Sequence, residues 1–170
     1  QAVCEASIEG HAAGFAVLAV VSVLVVFLWP SVGKMTELFP GAWRGLWPEK
    51  NALGGNMAIG FATCAAAMML NPKRATIWGG AAFGCLVLVL ASTSKTSLLA
   101  AMLGAAGIGF VWLVRKGPLT GVGATWAAVA SVAAIVAIGL LAADVVFDLL
   151  GKDATLTGRT KIWSAALRQI

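Results

Sequence analysis

The chain has 170 residues, of which 60% are hydrophobic and 11% charged, with a net charge of +5. Soluble domains carry roughly 45–50% apolar and about 25% charged residues, so this composition excludes a water-soluble globule and indicates an integral membrane protein. The cations lie in short loops between apolar runs and form no basic stripe or stacking platform, so nucleic acid is excluded as a partner and membrane lipid or a lipid-linked phosphate is favoured.

Five runs reach the length of a membrane span, about 17–25 residues each: 12–29, 52–70, 75–91, 98–114 and 122–143. Trp29 and Pro30 end the first. Pro72, Lys73 and Arg74 separate the second from the third, and Arg115, Lys116 and Pro118 separate the fourth from the fifth. Each separator pairs a helix breaker with charge. The break between the third and fourth rests on length: as one helix they would run about 38 residues, or ~57 Å, against a hydrocarbon core of ~30 Å. Lys95 would then lie near the middle, at about 2.5–3.5 kcal/mol. A turn over 92–97 follows. Gly80 and Gly84 form a GxxxG, and Gly104, Gly107 and Gly109 thin another face, which predicts close helix contacts. Cys64 and Cys85 read as buried packing residues, and His11, at the head of the first span, as structural. No metal site or cofactor is expected.

Beyond 143 the pattern changes. Asp144, Asp148, Lys152 and Asp153 enter, and Ile162, Trp163, Ala166, Leu167 and Ile170 then recur at helical spacing, with Thr157 as N-cap of an amphipathic helix. The fold class is therefore all-α: a polytopic transmembrane bundle of about five spans plus an amphipathic C-terminal helix start, in a single membrane domain over 1–170. The chain opens at Gln1 and closes inside a helical pattern, which reads as part of a longer protein.

Counting crossings from the loop after the first span places 31–51, 92–97 and 153–160 on one face, here side B, and 71–74 and 115–121 on the other, side A. Lys and Arg counts in the two sets of short loops tie, but side A packs its cations more densely, which favours side A as cytoplasmic. Arg44, Lys50 and Asn51 lie on side B in one loop with Trp43 and Trp47, a residue type that prefers the headgroup level.

Three polar islands, Trp43-Arg-Gly-Leu-Trp-Pro-Glu-Lys-Asn-Ala-Leu-Gly54, Ser92-Thr-Ser-Lys-Thr-Ser97 and Asp153-Ala-Thr-Leu-Thr-Gly-Arg-Thr-Lys-Ile-Trp163, in this order resemble the O-antigen ligase and polysaccharide polymerase superfamily, nearest to its exopolysaccharide polymerases. The resemblance implies a multi-pass glycosyltransferase of the bacterial inner membrane. Its active face, including segment 144–170, would be periplasmic. Such enzymes take a glycan on undecaprenyl diphosphate and pass it to another repeat unit, or to lipid A-core in the ligases, without metal or nucleotide sugar. Chain-length regulators or export proteins would be further partners. The family also uses a histidine from a periplasmic region after the Gly-Arg-Thr motif, which His11 does not match, so the fragment alone is expected to be inactive.

Cleavage of a sugar–diphosphate bond builds negative charge on the leaving group, and preplaced cations stabilise it. Arg44 and Arg159 suit the diphosphate through the bidentate guanidinium fork. Lys50 and Lys95 add charge, Asn51, Ser94 and Thr157 offer hydrogen bonds, and Trp43 and Trp47 anchor the loop or stack on sugar faces. Competing readings stand beside these. Lys50 could pair with Glu49 or snorkel to headgroups, Trp47 could be an interface anchor, and the islands could line a transporter's path.

Overall fold

The computed structural model describes the backbone of residues 2–36 and 39–141, and side chains as far as Ala134. The described chain is all-helical and consistent with a membrane helix bundle. It runs α1 (Ala2–Leu28), a short α2 (Pro30–Gly33), α3 (Lys50–Leu70), a 3-10 turn (Pro72–Arg74), α4 (Ala75–Ala91), α5 (Lys95–Arg115) and α6 (Pro118–Leu141). Helices are what an apolar chain of this kind must form, because lipid offers no partner for a bare N–H or C=O. Four stretches, Val3–Leu28, Lys50–Leu70, Pro72–Ala91 and Lys95–Arg115, are long and apolar enough to cross a membrane. The fifth expected span corresponds to α6, apolar over its first part, Pro118–Ala134.

Three helix starts differ from expectation by three residues or more. α1 starts ten residues before the expected span. At 27 residues it is ~40 Å long, more than the ~30 Å hydrocarbon core, so its first turns extend beyond the apolar zone. There Glu9 accepts a hydrogen bond from Asn71 Nδ2 at 2.8 Å and meets Arg74 Nη1 at 3.4 Å, tying the start of α1 to the side-A turn. α5 begins at Lys95, so the turn is only 92–94 and Lys95 to Ser97 form the helix's first turn. α6 begins at Pro118, which fills the first helical position where its missing N–H costs nothing.

The chain forms two compact units, Gln1–Trp112 and Leu113 onward. In the first, α1, α3 and α4 pack around small side chains. One cluster joins Ala19, Leu53, Met57, Ala58, Cys85, Leu88, Val89 and Ala101; a second, toward side A, joins Ala12, Cys64, Ala67, Trp78 and Ala82. Cys64 and Cys85 are fully buried, as expected. Two glycines fix the spacing. A Cβ on Gly60 would lie 3.0 Å from Phe15 Cβ and 3.1 Å from Cys85 Sγ, and one on Gly54 would lie 2.5 Å from Ser92 Oγ. The expected GxxxG works differently. Cβ atoms at Gly80 and Gly84 would meet nothing within 4 Å, because both line an apolar groove between α1 and α4 of about 400 Å³. Of the α5 glycines, Gly104 approaches Ala62 Cβ, whereas Gly107 and Gly109 face open space. Large apolar side chains such as Val20, Leu24, Phe27, Ile59 and Phe83 are exposed, as lipid-facing residues are. The hydroxyls of Ser22 and Thr63 and the amide of Asn56 each donate to the carbonyl four residues earlier, so these polar groups in the apolar spans are satisfied within their own helices.

In the second unit Gly117 takes φ +146, and Thr120 Oγ1 donates to the Leu113 and Gly117 carbonyls, closing the turn into α6.

Two outcomes are expected. Gly54→Val should lower the unfolding temperature in detergent, since overpacking costs about 1–3 kcal/mol. Gly55→Val, whose Cβ direction is open, controls for helix propensity. Single cysteines at exposed Lys73 and Thr96, on a cysteine-free background, should react with an impermeant maleimide from opposite sides of sealed vesicles; labelling from the same side would contradict the span assignment.

Candidate functional site

The loop between α2 and α3 lies on the bundle's side-B end. Lys34 and Trp43 pair as an isolated antiparallel bridge, and Met35 N–H donates to the Ala42 carbonyl. Gly45, at φ +56, rests on α1, where a Cβ would strike the Ser22 side chain at 2.8 Å. Trp43 N–H donates to the carbonyl of Ala91 at the end of α4, and its ring meets Phe27 edge-on, with centroids 5.7 Å apart. Trp43 and Trp47 are both half-buried against the core, which favours anchoring over an open sugar-stacking face.

Arg44 has a structural occupation. Its Nε donates to Val32 O at 2.6 Å and its Nη2 to Ser31 O at 3.2 Å, while its backbone N–H and that of Gly45 both reach Gly33 O. These carbonyls have no partner further along the short α2, and a basic side chain is a standard way to satisfy them. One edge of the guanidinium fork is therefore taken.

The second island comes to the same place. Ser92, Ser94 and Ser97 are buried. Ser92 Oγ donates to Val89 O at 2.7 Å, and Ser94 Oγ accepts from Ser97 N–H at 3.4 Å and from Ser97 Oγ at 2.9 Å. Ser94 thus caps the start of α5. Against this turn lies the first turn of α3, held close by Gly54.

Lys50 and Lys95 are the first residues of α3 and α5. Lys50 Nζ lies 3.4 Å from Thr93 Oγ1 and 3.4 Å above the centre of the Phe39 ring, so it turns to the second island and not to Glu49. Thr93 adopts φ +52, a conformation that a β-branched residue rarely takes. Beside it Lys95 lines a small hollow with Thr93 and Ser94. Cations are disfavoured at helix N-termini, by roughly 0.3–1 kcal/mol each. Two lysines and two positive helix ends thus stand on adjoining turns, with Glu49 at the N-cap of α3.

The parity expectation for the first two islands is thus met through direct contacts. Asn51 is exposed on the first turn of α3. Arg159 and Thr157, with the third island, Asp144 and Asp148, lie outside the described residues. His11 is at the other end, its ring nitrogen Nδ1 2.7 Å from Ser7 O. Thr93 and Phe39 were not singled out in the sequence: a threonine in a Ser/Thr run carries no mark of positive φ, and Phe39 acquires its role only from the lysine above it.

Comparison with family models, with curated proteins and with solved structures returns no match to this chain.

Thr93→Gly should raise thermal stability, since releasing a left-handed threonine is worth roughly 1–2 kcal/mol, while removing the hydroxyl that holds Lys50. A fall in stability would show that Thr93 is not strained. Arg44→Ala should destabilise by about 1–3 kcal/mol through loss of charged hydrogen bonds to α2, measurable as a lower unfolding temperature in detergent.

Proposed function

We propose that this chain is part of a polysaccharide polymerase-like glycosyltransferase of the bacterial inner membrane, whose side-B, periplasmic face binds an undecaprenyl-diphosphate-linked glycan. The observation that carries the reading is the convergence of Lys50, Thr93 and Lys95 at two adjoining helix starts. Such a point is a receptor for phosphate: it offers ammonium and hydroxyl donors, helix-end dipoles and a poorly hydrated floor. The order of the three polar islands, which resembles the polymerase and ligase superfamily, supplies the reaction.

In that reaction the acceptor hydroxyl attacks the sugar anomeric carbon, the bond from that carbon to the diphosphate oxygen breaks, and the acceptor's proton passes to a base. Lys50 and Lys95 stabilise the charge that grows on the departing diphosphate, and Thr93 donates its hydroxyl proton to a phosphate oxygen. Arg44 contributes chiefly by fixing the loop. Arg159 and Thr157 belong to the same face in this reading. His11 is not the base, because the length of α3, ~30 Å, separates the Glu9–Asn71 end from Lys50. Transfer to lipid A-core, the ligase reaction, would use the same donor site with a different acceptor.

The test uses the full-length protein in cells lacking their own enzyme, with polymer length or ligated glycan as the readout. Lys50→Ala combined with Lys95→Ala should lower product at least ~10²-fold at normal protein level, the scale for a lost charge-stabilising donor. Near-normal product would remove the lysines from the chemistry.

A further inference from the structure

Where α1, α3 and α4 meet inside the bundle, Cys64 and Cys85 face each other. Gly60 and Cys64 are one turn apart on the same face of α3. Cys85 of α4 packs over Gly60, where a Cβ would lie 3.1 Å from its Sγ. The two thiols hydrogen-bond to each other. The Cys64 thiol donates its own proton to the carbonyl of Ala12 on α1, at 3.6 Å, so the proton between the sulfurs is that of Cys85. Met57, one turn before Gly60, belongs to the same buried cluster as Cys85, and all three sulfur side chains are 0% exposed. We propose that this buried thiol pair binds a soft monovalent metal ion, copper(I), between Cys85 Sγ and Cys64 Sγ, with the Met57 thioether as further ligand. The inference stands apart from the glycan reading of side B.

Three observations favour this ion. The first is the donor set. Thiolate and thioether sulfur select copper(I), whereas calcium and magnesium require a shell of oxygens. Among the described residues no three His, Cys, Asp or Glu side chains gather at one point, so the four-ligand cage of a structural zinc is not assembled there.

The second is charge. A dry interior between spans penalises any net charge. When copper(I) enters, the Cys85 S–H bond breaks, a Cys85 sulfur–copper bond forms and the proton leaves. Cys64 keeps its proton on the Ala12 carbonyl and offers a lone pair. One unit of positive charge replaces another, no electron moves, and the site stays neutral. A divalent ion making the same exchange would leave a net charge of about +1 in the apolar zone. The third is access. The groove between α1 and α4 is walled in part by Ala19, which packs in the Cys85 cluster, and by Ala81, which packs against the Cys64 cluster. A route from the groove to the thiols therefore passes between alanines. Spacing in the sequence does not announce the site, because its sulfurs come from two helices.

The experiment uses the full-length protein with Cys64 and Cys85 as its only cysteines, reduced and anaerobic in nanodiscs of neutral lipid. Copper(I) is titrated against the chromophoric chelator bicinchoninate. One copper per chain should be retained, with sulfur alone in its first shell by X-ray absorption and one proton released per ion. Silver(I) should displace it and zinc(II) should not. Cys85→Ser and Cys64→Ser should each weaken retention by more than about tenfold, since losing a ligand costs at least as much as losing its outer-shell support. Met57→Leu, which conserves volume, should weaken it less. The absorption spectrum and the proton count are read with both cysteines in place, so a serine variant that misfolds leaves the test intact. No retained copper, oxygen or nitrogen in its first shell, or displacement by zinc(II) would overturn the proposal. So would retention that survives Cys85→Ser, which would assign the copper to another part of the protein.

Discussion

The contact on which the side-B surface depends is the approach of the first turn of α3 to the turn between α4 and α5. It is possible because position 54 has no side chain: a Cβ there would lie within 2.8 Å of both Ser92 and Ser97. Ser92 Oγ donates to the Val89 carbonyl and Ser97 Oγ donates to Ser94 Oγ, so the close approach leaves both hydroxyls partnered. Tight packing by small residues is how helices associate in lipid, where burying an apolar side chain gains nothing over leaving it in the bilayer. At Gly54 the same device has a second consequence. It puts the starts of two helices side by side, each with a lysine as its first residue. In the proposed function, that arrangement is what attracts the lipid-linked phosphate.

The long loop before α3 is fastened to the same point. Arg44 ties it to α2, Trp43 ties it to the end of α4 and to Phe27, and Gly45 lets it lie on α1. Lys50 then bridges the loop and the turn through Phe39 and Thr93. Substitutions in the loop therefore act on α2 and α4 packing as well as on the surface it presents. At the opposite end, Glu9 with Asn71 and Arg74 closes the bundle by a partly exposed pair that contributes little, ~0–1 kcal/mol. The two ends are thus built differently, one by a weak surface ion pair and the other by buried serines and a glycine contact.

Much of the fold was legible because the bilayer makes hydropathy and length a direct code. α4 matches its expected range and α3 begins only two residues early. Side B as a meeting place for 43–51 and 92–97 followed from counting crossings. What hydropathy could not show were contacts between residues distant in sequence. The first ten residues of α1 are less apolar, and their helix is supported by a partner at 71–74. Arg44 looked like a free phosphate ligand because its acceptors, Ser31 and Val32, belong to a one-turn helix that no periodicity announces. Gly80 and Gly84 carry a packing motif, yet the neighbouring helix leaves a groove beside them. Ser94 was read as a ligand and is a helix cap, while Thr93 next to it carries the unusual backbone and the lysine contact.

The central claim is that the two polar islands form one surface around Lys50 and Thr93. The most direct measurement is cross-linking in intact membranes, with cysteines at positions 50 and 93 of a cysteine-free full-length protein and a short bismaleimide. The account predicts rapid intramolecular cross-linking of this pair and none between positions 50 and 73, which belong to opposite ends of the bundle. Failure of the 50–93 pair to cross-link, with both cysteines reactive toward a monofunctional maleimide, would contradict it.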